Sequence, residues 1–198
     1  MNADSVGGAA PMRGVPDQPL VAAGAAIVAA GSIVLLARPF VGLGVDARTV
    51  LFAVSYVAIT LASISYPVGD RVSSRSTDPA VWLPVTIGVG AVAGVSVTGT
   101  AVPMPATALA LPLSMIAAVA EEALLRRVAY ARLERFGPAI AIAVTAALFA
   151  FVHVPAYGTT ALPVDLGAGV LFGWQRWASG TWTVPAGTHA LANILASL

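Results

Sequence analysis

Two adjacent glutamates, Glu121 and Glu122, and two histidines, His153 and His189, are the residues of this chain best equipped for chemistry. There are no other histidines and only one other glutamate, Glu134. All four lie in long apolar stretches, where an ionisable side chain is costly and is by default a functional candidate. Carboxylates with histidines are the usual parts of a hydrolytic site. One group takes a proton from water and another steadies the charge that develops.

The spacing around each of these residues sharpens the reading. In Glu121-Glu122-Ala123-Leu124-Leu125-Arg126-Arg127, Glu122 and Arg126 are four apart, so on a helix they share a face and pair. Glu121 points about 100° away, yet both carboxylates can line one cavity. There they titrate as a coupled system, and with Arg126 keeping one charged, the other is free to cycle its proton. The bland alternative is a helix end leaving the membrane with its charges solvated.

Phe149 and His153 are again four apart, at the end of the apolar run Ile140–Val152. Taken alone, His153 reads equally well as a satisfied interfacial group. His189 and Asn193 repeat the spacing in the last apolar segment. Both can donate hydrogen bonds to an oxyanion, although polar pairs also serve simply to hold membrane helices together. The three pairs fall on three different helices, and their types complement one another as base, partner and oxyanion clamp.

The elements that carry these residues are membrane helices. The chain has 198 residues, 58% hydrophobic and only 10% charged, with mean hydropathy +0.88. A soluble domain averages about 25% charged residues. The expected fold is therefore all-α, a polytopic transmembrane bundle. A helix crosses a bilayer in about 20 residues, which places about seven spans at 20–37, 49–66, 80–102, 107–128, 138–154, 163–178 and 183–198. Residues 1–19 read as a disordered leader. Residues 20–198 read as one membrane domain, with the motif helices in 107–198.

Every basic residue is an arginine, and none of these arginines forms the clustered surface that nucleic acid requires. The absence of cysteine excludes disulfides, a thiolate nucleophile and a Cys-based zinc site. With seven spans, Arg13, Arg71, Arg75, Arg127, Arg132, Arg135 and Arg176 fall on one side, and Arg38 and Arg48 on the other. The first side is then cytoplasmic, with the N-terminus, in the cell's inner or plasma membrane. In this map Glu121 lies past the middle of its helix and His153 near the end of the next. Bringing them into one cavity requires the glutamate helix to run deeper, to about Leu133, or the helices to tilt strongly.

Glu-Glu-x-x-x-Arg, Phe-x-x-x-His and His-x-x-x-Asn, in that order on successive helices, resemble the CAAX prenyl endopeptidase and bacteriocin-processing (CPBP, or Abi) family of intramembrane proteases. The resemblance covers about residues 107–198. It implies that Glu121 and His153 activate water and that His189 and Asn193 hold the oxyanion. It also implies that Glu122 and Arg126 position the site, beside Phe149, and that the substrates are membrane-associated proteins or peptides.

The family has been described both as metalloproteases and as metal-free glutamate proteases. This chain has no His-Glu-x-x-His helix, so no cofactor is expected. Zinc held by Glu121, His153 and His189 is the chemical alternative. Leu125 and Arg127 depart from the family pattern, which commonly has an aromatic residue before the motif arginine and a glycine after it. Those departures motivate a second reading, an inactive scaffold or bacteriocin-immunity protein of the same fold. A proton-coupled carrier is a third, disfavoured by the lack of an internal repeat.

Overall fold

The computed structural model describes residues 18–68, 79–97 and 109–197. These residues form helices joined by short turns, with no strand among them. The order begins with α1 (Gln18–Ala37), which runs into a 3-10 turn at Arg38–Phe40, then α2 (Val45–Ser65) and α3 (Pro79–Val97). α4 (Ala110–Glu122) continues through a π-helical stretch, Ala123–Ala129, into α5 (Tyr130–Leu133). α6 (Pro138–Tyr157), α7 (Leu162–Ser179) and α8 (Thr183–Leu195) follow. Between α5 and α6 the chain turns at Gly137, whose φ of 102° suits glycine, and Pro138 then opens α6.

The molecule is inverted relative to a water-soluble protein. Ile33, Val54, Leu61, Leu83 and Phe151 are exposed, whereas Glu121, Glu122, Arg126 and Gln175 are no more than 2% exposed. Hydrocarbon solvates the first set, and only the protein interior can satisfy the second.

Each expected span overlaps a helix. Among the described residues, however, only Gln18–Phe40, Val45–Ser65 and Pro138–Tyr157 are long and apolar enough to cross a bilayer. Among the described residues α3 contributes the shorter apolar stretch Trp82–Val95, and the remaining helices fall short in length or composition. α8 has 13 residues, about 20 Å of helix, against a hydrocarbon core of about 30 Å. The α4–α5 rod carries five charged residues, at positions 121, 122, 126, 127 and 132, and α7 carries Asp165 and Arg176. The expected leader lies outside the described residues up to residue 17, and α1 already begins at Gln18.

The α4–α5 rod is central, packing against α1, α2, α6, α7 and α8. Leu35, Phe52, Ile59, Ala120, Leu124 and Val152 form the apolar core that joins it to α1, α2 and α6. Small residues allow the closest approaches. A Cβ at Gly169 of α7 would lie 2.8 Å from the Ala146 Cα of α6.

At one end of the bundle the Tyr66 hydroxyl donates to the Leu20 carbonyl at 2.9 Å and accepts from Arg132 Nη1 at 2.8 Å. The start of α1, the end of α2 and the end of α5 therefore meet there. Arg38 lies at the opposite end of α1. Arg13, Arg71 and Arg75 lie outside the described residues.

Candidate active site

The rod continues to Leu133, the first of the two ways in which Glu121 and His153 could share a cavity. It does so through a π-helical stretch that begins immediately after Glu122, the kind of local distortion that tends to mark functional positions. Arg126 sits within that stretch, fully buried. Its Nε lies 3.2 Å from Glu122 Oε2, an ion pair without a well-directed hydrogen bond, and its Nη2 donates to the Gly169 carbonyl at 3.1 Å. The Arg126 carbonyl in turn accepts from Arg176 Nε at 2.9 Å.

Glu121 lies on the neighbouring face of the rod and pairs differently. Its Oε1 accepts from Arg38 Nη1 at 2.8 Å, and its Oε2 lies 3.5 Å from His153 Nε2. His153 Nδ1 is 2.7 Å from the Phe149 carbonyl. A carbonyl only accepts, so Nδ1 carries the hydrogen and, in the neutral ring, Nε2 keeps the lone pair that faces Glu121. His189 Nδ1 stands 3.2 Å from Glu122 Oε1. Each glutamate is thus flanked by one arginine and one histidine, as Arg38–Glu121–His153 and Arg126–Glu122–His189.

Phe149 separates the two sets. Its ring lies 4.5 Å from that of His153 and 5.4 Å from that of His189. The Arg126 guanidinium sits 5.7 Å from its centroid. Tyr157 stacks on the other side of His153 at 5.6 Å, and Phe172 stacks on His189 at 5.1 Å. Asn193 is one turn beyond His189, and its Nδ2 donates to the Ser114 carbonyl of α4 at 3.0 Å. An amide nitrogen has two hydrogens, so one is left to offer elsewhere.

The structure therefore brings Glu121, Glu122, Arg126, Phe149, His153 and His189 together, with Asn193 at the edge of the cluster. Four residues near the site escape the sequence reading. Arg38 belongs to the N-terminal helix, and no spacing links it to Glu121. Tyr56 lies beside Arg38. Asp165 is close enough to both histidines and to Glu121 to interact with them electrostatically. Tyr157 had a readable signal, because it stands four residues after His153 as Phe149 stands four before.

Two further arginines expected outside the bundle are, like Arg38, used within it. Arg176 is 4% exposed, bonded to the Arg126 carbonyl and 5.5 Å from the Tyr130 ring. Arg127 donates to the carbonyls of Ser63, Ile64, Tyr66 and Val68 at the end of α2. That contact gives the Arg127 departure a structural role away from the glutamates. Leu125, the other departure, packs with Phe149 and Phe172.

As a zinc site the residues fit poorly. His153 faces Glu121, but His189 is turned to Glu122, and no group of three or more His, Cys, Asp or Glu among the described residues is placed to hold a metal ion.

Comparison with known proteins bears directly on this cluster. Residues 103–195 match the model of the Rce1-like family, type II CAAX prenyl endopeptidase Rce1-like. This segment is similar to that family. The match takes in the described parts of α4 to α8, all three motif pairs and the π-helical stretch. Arg38 and Tyr56 lie outside it. The family is one of proteases, and together with the three apolar spans it makes the chain an integral membrane protein. No curated protein and no solved structure matches the chain.

Proposed function

We propose that this chain is an intramembrane endopeptidase that hydrolyses membrane-associated proteins or peptides with water activated by Glu121 and His153. The observation that carries the reading is the facing pair Glu121 Oε2 and His153 Nε2, 3.5 Å apart. Both are proton acceptors directed at one place, which is what a general base needs. The water gives up a proton to this pair as its oxygen adds to the peptide carbonyl carbon. His189, with a hydrogen on each ring nitrogen so that Nδ1 serves Glu122 and Nε2 faces the substrate, and Asn193 donate to the resulting oxyanion. The proton then passes to the leaving nitrogen as the C–N bond breaks. Glu122 and Arg126 hold His189 and the rod in place, and Phe149 keeps the two histidines apart.

The partners in this reading are membrane lipids and the substrate, with no nucleic acid. We further place the N-terminus in the cytoplasm of a cell with an inner or plasma membrane, on the side of Arg132 and Arg135. Residues 20–198 act as one membrane domain, with α3, the α4–α5 rod, α7 and α8 as further crossings that bring the total to seven.

The test is cleavage of a quenched peptide library by the full chain in lipid vesicles, comparing wild type with Glu121→Gln and His153→Ala. Each substitution is expected to slow cleavage by about a hundredfold or more, with folding retained and no effect of chelator. A wild-type rate in either variant defeats the reading. Loss of wild-type activity with chelator transfers it to a metal site.

A further inference from the structure

The carboxylate read as the base is held by a residue from outside the family-matched segment. Arg38 follows α1, 83 positions before Glu121, and donates from Nη1 to Glu121 Oε1 at 2.8 Å. The same guanidinium is fixed from behind, because Nε donates to the Leu35 carbonyl at 2.9 Å. Its side chain is 15% exposed and that of Glu121 2% exposed, so the pair is shielded from water and screened little by salt. Arg38 Nη2 is buried without a hydrogen-bond partner among the described residues.

These contacts constrain Glu121 in two ways. A lone carboxylate taken out of water tends to take up a proton, and a charge-assisted hydrogen bond to a guanidinium opposes that. Tying Oε1 also fixes rotation of the carboxylate, leaving Oε2 directed at His153. Without Arg38, Glu121 would be free to turn its two oxygens among the remaining partners.

We propose that Arg38 is a positioning residue for Glu121, so that the working site is completed by the N-terminal helix. This rests on the protease reading for its kinetic consequence but not for its electrostatic one. The relation is an arginine acting through a carboxylate, and Arg38 need not touch the peptide.

Two measurements on the full chain in lipid vesicles test it, with Glu121→Gln assayed alongside. The first is cleavage kinetics of Arg38→Ala. We expect kcat to fall by about tenfold to a hundredfold with KM within about twofold, the size of effect that misplacing a catalytic group produces. Arg38→Lys should recover part of the rate, and added guanidinium should restore rate to Arg38→Ala but not to Glu121→Gln. The second is infrared spectroscopy near neutral pH. Arg38→Ala should show a protonated-carboxyl band that is absent from wild type and from Arg38→Ala/Glu121→Gln.

An unchanged kcat, a rate increase in Arg38→Ala or the absence of the new band overturns the proposal. A rate increase would make the pair a resting latch instead. If wild type cleaves nothing, the protease reading is what fails, and the infrared comparison still decides whether Arg38 governs Glu121.

Discussion

Arg126 Nη2 donates to the Gly169 carbonyl of α7 at 3.1 Å, from a guanidinium that also lies against Glu122. One buried cation thus ties the glutamate rod to α7 and, through the tight contact of Gly169 with Ala146, to the helix of His153. A Cβ at residue 169 would sit 2.8 Å from Ala146 Cα and 3.0 Å from its carbonyl oxygen, atoms that move only with the backbone. Gly169→Ala is therefore expected to cost about 1–3 kcal/mol, as overpacking does, and to lower cleavage by shifting the Arg126 anchor. Gly167 in the same helix has no atom within 4 Å of such a Cβ, so Gly167→Ala should be neutral or slightly stabilising. Thermal unfolding of both variants in detergent checks the contrast.

Glu122 and Arg126 are both completely buried, so their energetics should be asymmetric. Removing one partner leaves an uncompensated buried charge, at a cost of about 3–5 kcal/mol. Arg126→Gln alone should lower stability by that order. Glu122→Gln/Arg126→Gln should lie closer to wild type than either single variant. A double-mutant cycle by chemical unfolding reads the coupling, and strictly additive losses would show that the two side chains do not act as a pair.

Arg127 separates structure from catalysis. Its four carbonyl acceptors lie at and just beyond the end of α2, where helix carbonyls lack partners within the helix. Arg127→Gln should lose about 1 kcal/mol of stability as partly buried acceptors lose their donor. Cleavage per folded molecule should stay at the wild-type level. Measuring rate against folded fraction distinguishes this from a role in turnover, which would lower the rate at full folding.

How much of this was legible in the sequence follows from distance along the chain. Glu122–Arg126 and Phe149–His153 were readable because four-residue spacing on a helix fixes a shared face whatever the rest of the fold does. The run of the glutamate helix to Leu133 was one of two ways, with tilting, to let Glu121 and His153 meet, and the described helix ends there. Arg38–Glu121 was not readable, because a pairing across 83 positions depends on how α1 lies against α6 and the rod. Nor was the π-helical stretch, since nothing in Ala123–Ala129 marks the register change. Arg127 and Arg176 misled for a related reason. Arginine counts assign sides only when the arginines face water, and these two found carbonyl acceptors inside the bundle.

Phe149 is the residue through which the two halves of the site meet, because it touches both histidine rings and the Phe172 edge at 5.6 Å. Its contribution should be more than volume. Phe149→Ala would leave a cavity and cost about 3–5 kcal/mol, which would confound any effect on rate. Phe149→Leu keeps most of the volume and should fold with a loss under about 1.5 kcal/mol. It removes the flat surface that orients the two rings, so cleavage should still fall by about tenfold or more through misplaced groups. Tyr157→Phe keeps the stacked ring on His153 and should retain activity if stacking is what Tyr157 supplies. Comparing the two variants by rate and by histidine ring NMR tests the account. A Phe149→Leu protein with wild-type cleavage and unshifted ring signals would reduce Phe149 to packing.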